Sequence, residues 1–180
     1  MLFPPDEMLR RINYEDLMHV GRFTTISTKG LERKELLRQI SEYGDEYLMF
    51  LKGVYRNWGY SLSNDVTQLH GQLFCDGIHN ALYHGCIENN SPIISHGCYT
   101  TLQGIVSGFQ DLGGYFLGKN IKEIFEAKDL DRLKELQYTS LGLQHILHFS
   151  DEIFVDTDNQ VLYCLQMFNE KTGFFPVPIE

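Results

Sequence analysis

The chain of 180 residues is poor in several things at once: it has 5 prolines, 1 tryptophan and 4 cysteines, and only 15 Lys and Arg against 24 Asp and Glu. The cysteines Cys75, Cys86, Cys98 and Cys164 form no C-x-x-C pair and no zinc-ligand spacing, which predicts reduced, mostly buried thiols. The deficit of basic residues leaves a formal charge of −9 and a pI near 5.2. That excludes a broad footprint on nucleic acid, which needs Lys and Arg to displace counterions. No run approaches the ~20 apolar residues of a membrane span. Residues 1–11 carry prolines and charges where a secretion signal has an apolar stretch. The expectation is a cytoplasmic protein with no membrane partner.

A hydrophobic fraction of 43% with 13% aromatics is enough for a packed core. The length fits one domain, divided here into an arm or accessory helix over 1–22 and a main domain over 23–180. In the arm, Asp6 to His19 has helical character. Phe23 to Thr28 reads as a strand closed by Lys29 and Gly30. Between Glu32 and Trp58 the apolar residues Leu36, Leu37, Ile40, Tyr43, Tyr47, Leu48, Leu51, Val54 and Tyr55 recur at helical spacing. Ser63, Asn64 and Asp65 supply cap chemistry for a second helix running to about Gly85. Ile93 to Thr101 and Leu102 to Phe109 read as successive strands, ending at the glycine turn 111–114. A charged segment from Lys119 to Gln137 predicts one or two short helices, with Lys119, Lys122 and Lys128 as candidate phosphate contacts or a solvated face. Leu141 to Phe149 reads as the last helix, and a hairpin follows around Asp158 and Asn159. This order predicts an α/β (α+β) two-layer sandwich, a mainly antiparallel mixed sheet with helices on one face.

Asp76, Asn80 and His84 lie at i, i+4 and i+8, so they share one face of the second helix. That pattern suits a magnesium-nucleotide site, where an amide carbonyl can ligate the metal and a carboxylate can orient a nucleophile. The alternative is the helix's solvated stripe. His70, His79, His96, His145 and His148 make no metal set by spacing, and the pair on the last helix suits packing or surface positions better than ligation.

Three segments widen the pattern. Asp76-Gly-Ile-His-Asn80-Ala81-Leu-Tyr-His84-Gly85 resembles the N-box of the GHKL (Bergerat-fold) ATPases. Val106 to Phe116, containing Asp111-Leu-Gly113-Gly114, is similar to their D-x-G-x-G box. Ser140-Leu141-Gly142-Leu143, leading into a helix, is similar to their last glycine box. The resemblance covers roughly Phe23 to Asn169 and is closest to anti-sigma factor serine kinases. It implies the Bergerat ATP-binding fold, with ATP and Mg2+ as cofactors. Asn80 would hold the magnesium, and His84 would belong to the same box. Asp111 would accept the adenine amino group, Gly113 would allow close approach to the base, and Gly142 would turn backbone N–H groups toward the phosphates. Asp76 takes the catalytic position.

The family usually has Glu there, and its glycine boxes are richer, so the resemblance implies binding with weak or absent catalysis. It also implies a regulatory protein partner, a sigma factor or antagonist, and surfaces for a homodimer. A non-catalytic interaction module that keeps the fold without the nucleotide is the alternative. A histidine-kinase catalytic domain fits less well, because no helix with a phospho-acceptor His precedes the domain.

Overall fold

The computed structural model describes residues 2–14, 19–82, 93–111, 119–129, 131–132, 141–169 and 175–179. The protein is α+β. Five strands form one sheet: β1 (His19–Ser27), β3 (Ile93–Thr101), β4 (Gly104–Asp111), β5 (Glu152–Asp156) and β6 (Val161–Met167), in the order β1-β3-β4-β6-β5. Every pairing in it is antiparallel. A two-stranded sheet pairs β2 (Tyr60–Ser61) with β7 (Val177–Pro178), which no sequence pattern announced.

Helices α2 (Arg33–Asn57), α3 (Asn64–Asn80) and α5 (Leu141–Phe149) bury their apolar stripes on one sheet face. The strands answer with alternate residues, Ile94 and Cys98 on β3, Ile105 and Phe109 on β4, and Leu162 and Cys164 on β6. The long helix is held by more than packing. The Tyr55 hydroxyl, fully buried, reaches Thr100 Oγ1 at 2.5 Å and the Thr101 carbonyl at 2.6 Å. Ser63 caps α3 as expected, its Oγ accepting from the Val66 amide at 3.2 Å. Beyond Asn80 the helix widens into a π turn over Ala81 and Leu82.

The opposite face is covered by the amino-terminal arm, whose helix is α1 (Asp6–Arg11). Leu2, Met8 and Ile12 pack onto Tyr99, Val106, Tyr163 and Leu165. The Phe3 carbonyl accepts from Tyr163 Oη at 2.9 Å and the Ile12 carbonyl from Thr101 Oγ1 at 2.5 Å. Tyr99 Oη also donates to the Leu2 carbonyl. Two details differ from the sequence reading. The arm's helix ends at Arg11, and the first strand begins at His19, four residues before Phe23. His19, Gly21 and other weak strand formers hide that start, while the antiparallel register with β3 imposes it, pairing His19 with Thr101 and Gly21 with Tyr99. The fourth helix, α4 (Lys119–Glu126), lies beside β5, where Glu126 Oε1 accepts from the Val155 amide at 3.2 Å and so occupies the sheet edge.

Gly77 sets how deep α3 can sit. A Cβ there would fall 2.4 Å from the buried Phe109 ring, far inside contact distance. Gly77→Ala should therefore lower the folding free energy by ~1–3 kcal/mol despite alanine's better helix propensity, because overpacking against a confined ring outweighs the ~1 kcal/mol propensity gain. Urea denaturation checks this, with partial recovery expected when Phe109→Leu is added.

Candidate functional site

The seating of α3 carries Asp76 to the seam between α3 and α5. Its side chain is nearly buried, and each carboxylate oxygen accepts from Gln72 Nε2 one turn earlier, at 2.9 and 3.0 Å. From the facing helix His145 Nδ1 lies 3.1 Å from Asp76 Oδ2. Gly142, three residues before His145, closes the same contact: a Cβ on it would stand 3.1 to 3.3 Å from the Asp76 side chain. The helices thus meet with a carboxylate between an amide, an imidazole and a bare backbone. These contacts fix the orientation of the buried carboxylate.

Asn80 follows one turn beyond Asp76 and is half-buried, bordering a space shared with Gly77, Phe109, Leu143, Ile146 and Leu162. That space is about 10 Å³, roughly the room of one water. Asp111 ends β4 opposite Ile94, two residues past Phe109. The ends of α3 and β4 and the start of α5 therefore converge. Asp76 and Gly142 touch, Asn80 lies beside them, and the backbone of Asp111 is held on the neighbouring strand. His84 and Gly113 lie outside the described residues, as does most of the 112–140 segment.

His145 was read from sequence as packing or surface, and here it is a partner of Asp76. The signal was its place three residues after Gly142, on the face that the glycine turns toward α3. Of the charged-segment lysines, Lys122 pairs with Glu126 at 3.8 Å and sits over the Phe154 ring at 4.7 Å. Lys128 Nζ donates to the Ser150 carbonyl. Both are directed to the β5 side of the molecule.

The other histidines are not brought together, and no group of three or more His, Cys, Asp or Glu that could hold a metal occurs among the described residues. His96 stands in an aromatic cage behind the site, with ring centroids 4.8 Å from Phe74, 5.0 Å from Phe109 and 5.1 Å from Tyr47. Neither of its ring nitrogens has a hydrogen-bond partner among the described residues. Among the cysteines, Cys98 and Cys164 are free and buried, and burial pushes both up to about 12; Cys75 is free and half-buried, and Cys86 lies outside the described residues.

No protein-family model and no curated protein matches this chain.

The buried imidazoles generate an acid-stability prediction. Burial pushes His70 down to about 4; burial, with the Arg22 cation adding to it, pushes His96 to about 3. Both lie below the ~6.5 of an unfolded histidine. The unfolded chain therefore binds these protons first, so the two groups cost nothing above about pH 6.5, and stability falls as pH drops from there toward 3. Within that window each contributes up to ~1.4 kcal/mol per pH unit. His96→Leu should shallow the fall between pH 6.5 and 4, while leaving stability near pH 7 unchanged or higher, since it removes an unsatisfied buried polar group. Urea midpoints across that range provide the measurement, and an unchanged slope would refute the assignment.

Proposed function

We propose that the chain binds magnesium-ATP where α3, β4 and α5 converge, and that nucleotide occupancy regulates its hold on a protein partner, with weak or absent phosphoryl transfer. The observation that carries the reading is the contact of Gly142 with Asp76. Two segments more than sixty residues apart, each similar to a box of the GHKL ATPases, meet side by side with Asn80 one turn away.

The donor set suits the ligand. An Asn carbonyl and a carboxylate are hard oxygen donors of the kind magnesium takes, and the start of a helix is the kind of place where backbone N–H groups bind phosphate. Bound magnesium would neutralise phosphate charge. Asn80 would hold the metal, Asp111 would accept from the adenine amino group, and Asp76 would receive a proton from an attacking hydroxyl. His84 and Gly113 would complete the set. Low turnover follows from Asp76 itself. It is shorter than glutamate, and Gln72, His145 and Gly142 already constrain it, while a displacement near 1 Å costs a general base ~100-fold.

A second reading is favoured by one observation. The gap between Asn80, Phe109 and Leu143 is only about 10 Å³. A filled seam of this kind suits an interaction module that has kept the fold and dispensed with nucleotide.

Calorimetric titration separates the two. On the first reading magnesium-ATP binds saturably, Asn80→Ala weakens it at least ~10-fold, about 1.4 kcal/mol, and the unliganded Tm is little changed. ATP should also be preferred over GTP, which sets a carbonyl against the Asp111 carboxylate, and Asp111→Asn should reduce the preference. Absence of heat at millimolar magnesium-ATP supports the interaction module. Equal ATP and GTP affinities would remove Asp111 from the role.

A further inference from the structure

At the other end of the helical layer, away from Asn80 and Gly142, lies a cavity of about 180 Å³. It is bounded by Leu69 and His70 in the first half of α3, His148 and Phe149 at the end of α5, and Gln166 and Phe168 at the end of β6. Its chemistry is unusual for a core. Gln166 projects from the helix-facing side of β6, in line with Leu162 and Cys164, and is only 5% exposed. Neither its amide nitrogen nor its amide oxygen has a hydrogen-bond partner among the described residues.

His70, 2% exposed, lines the same space and is held neutral at physiological pH by burial, so its imidazole offers one donor and one acceptor. The Phe168 ring stands edge-on to it at 6.3 Å between centroids, giving the cavity an aromatic wall. His148 and Phe149 are exposed, so the space has an outlet at the end of α5. The nearby carboxylate is already committed, since Asp151 Oδ2 accepts from the Met167 amide at 2.6 Å.

A buried carboxamide lacking both partners bears the desolvation cost of a donor and of an acceptor. A group that offers one acceptor and one donor side by side recovers both. We propose that this cavity is a binding site for a small planar molecule with a cis-amide edge, an N–H donor beside a C=O acceptor as in a lactam or pyrimidine ring, read by the Gln166 carboxamide and flanked by the His70 imidazole. Anionic ligands are disfavoured, because Asp151 lines the space and a neutral imidazole and a neutral amide offer them no counter-charge. The volume limits the ligand to about one six-membered ring with substituents. The site is independent of the nucleotide proposal, sharing none of its residues.

The test uses 2-pyridone, which carries the edge, and N-methyl-2-pyridone, which keeps shape and carbonyl but lacks the donor. In amide-resolved NMR of the full chain, 2-pyridone should give saturable shifts at Leu69, His70, Gln166 and Phe168, with an affinity of roughly millimolar order for so few atoms. The N-methyl compound should bind at least ~10-fold more weakly, the loss of about one hydrogen bond to a desolvated partner. Gln166→Met, similar in length and apolar, should abolish the 2-pyridone shifts without loss of stability. Absence of saturable shifts, as for a cavity holding only ordered water, overturns the proposal. So do equal affinities for the two compounds, or undiminished binding by Gln166→Met. Should that variant fail to fold, the two-ligand comparison on the unaltered chain decides.

Discussion

The arrangement of this protein depends on how closely one helix can approach one strand. At Gly77 the missing side chain leaves room for the Phe109 ring, and α3 settles onto β4 at a depth that no other residue type allows. Everything along α3 is positioned by that contact. It brings Asp76 level with α5, and α5 meets it with a second glycine, Gly142, so that a carboxylate occupies what would otherwise be a helix-helix crossing filled by apolar side chains. The Phe109 ring, clamped from above, in turn closes the cage around His96. One small residue therefore links the candidate site, the acid-labile core and the seat of the helical layer.

The helical layer has two chemically different ends. Toward Asn80 and the start of α5, the polar groups are an amide and a carboxylate. Toward His70 and the end of α5, the groups lining the layer are a buried neutral imidazole, a buried carboxamide with no hydrogen-bond partner among the described residues, and aromatic walls.

The elements that were legible in the sequence are those whose pattern is local. The α2 stripe from Leu36 to Tyr55, the cap at Ser63 and the turn before Val161 are each written within a few residues, because helical spacing, cap hydrogen bonds and turn chemistry act over that range. The first residues of β1 were not legible, since His19 to Arg22 become strand through pairing with β3, some eighty residues away in the chain. The arm's place on the sheet was equally hidden, because the period of α1 does not say which surface it meets. Within the candidate site, the polar stripe Asp76 and Asn80 could be read directly, and Gly142 through its resemblance to a glycine box. His145 could not. Its hydrogen bond to Asp76 spans 69 residues, and the one local hint is its place three residues after Gly142.

The arm fastened across the far side of the sheet also orders events in time. Residues 2–12 are synthesised ahead of all the strands they cover, and their carbonyls find partners only at Tyr99, Thr101 and Tyr163, at sequence separations of 97, 89 and 160. Such distant closures carry a loop-entropy cost that is met late, after the nearer hairpins have formed. Until β6 is made, Leu2, Met8 and Ile12 have no finished surface to cover, and Val106 and Tyr163 have no lid. The arm is thus made before the strands it covers yet has no complete surface to close on until β6 exists, and an apolar segment waiting for its partner is the kind of surface that misassociates.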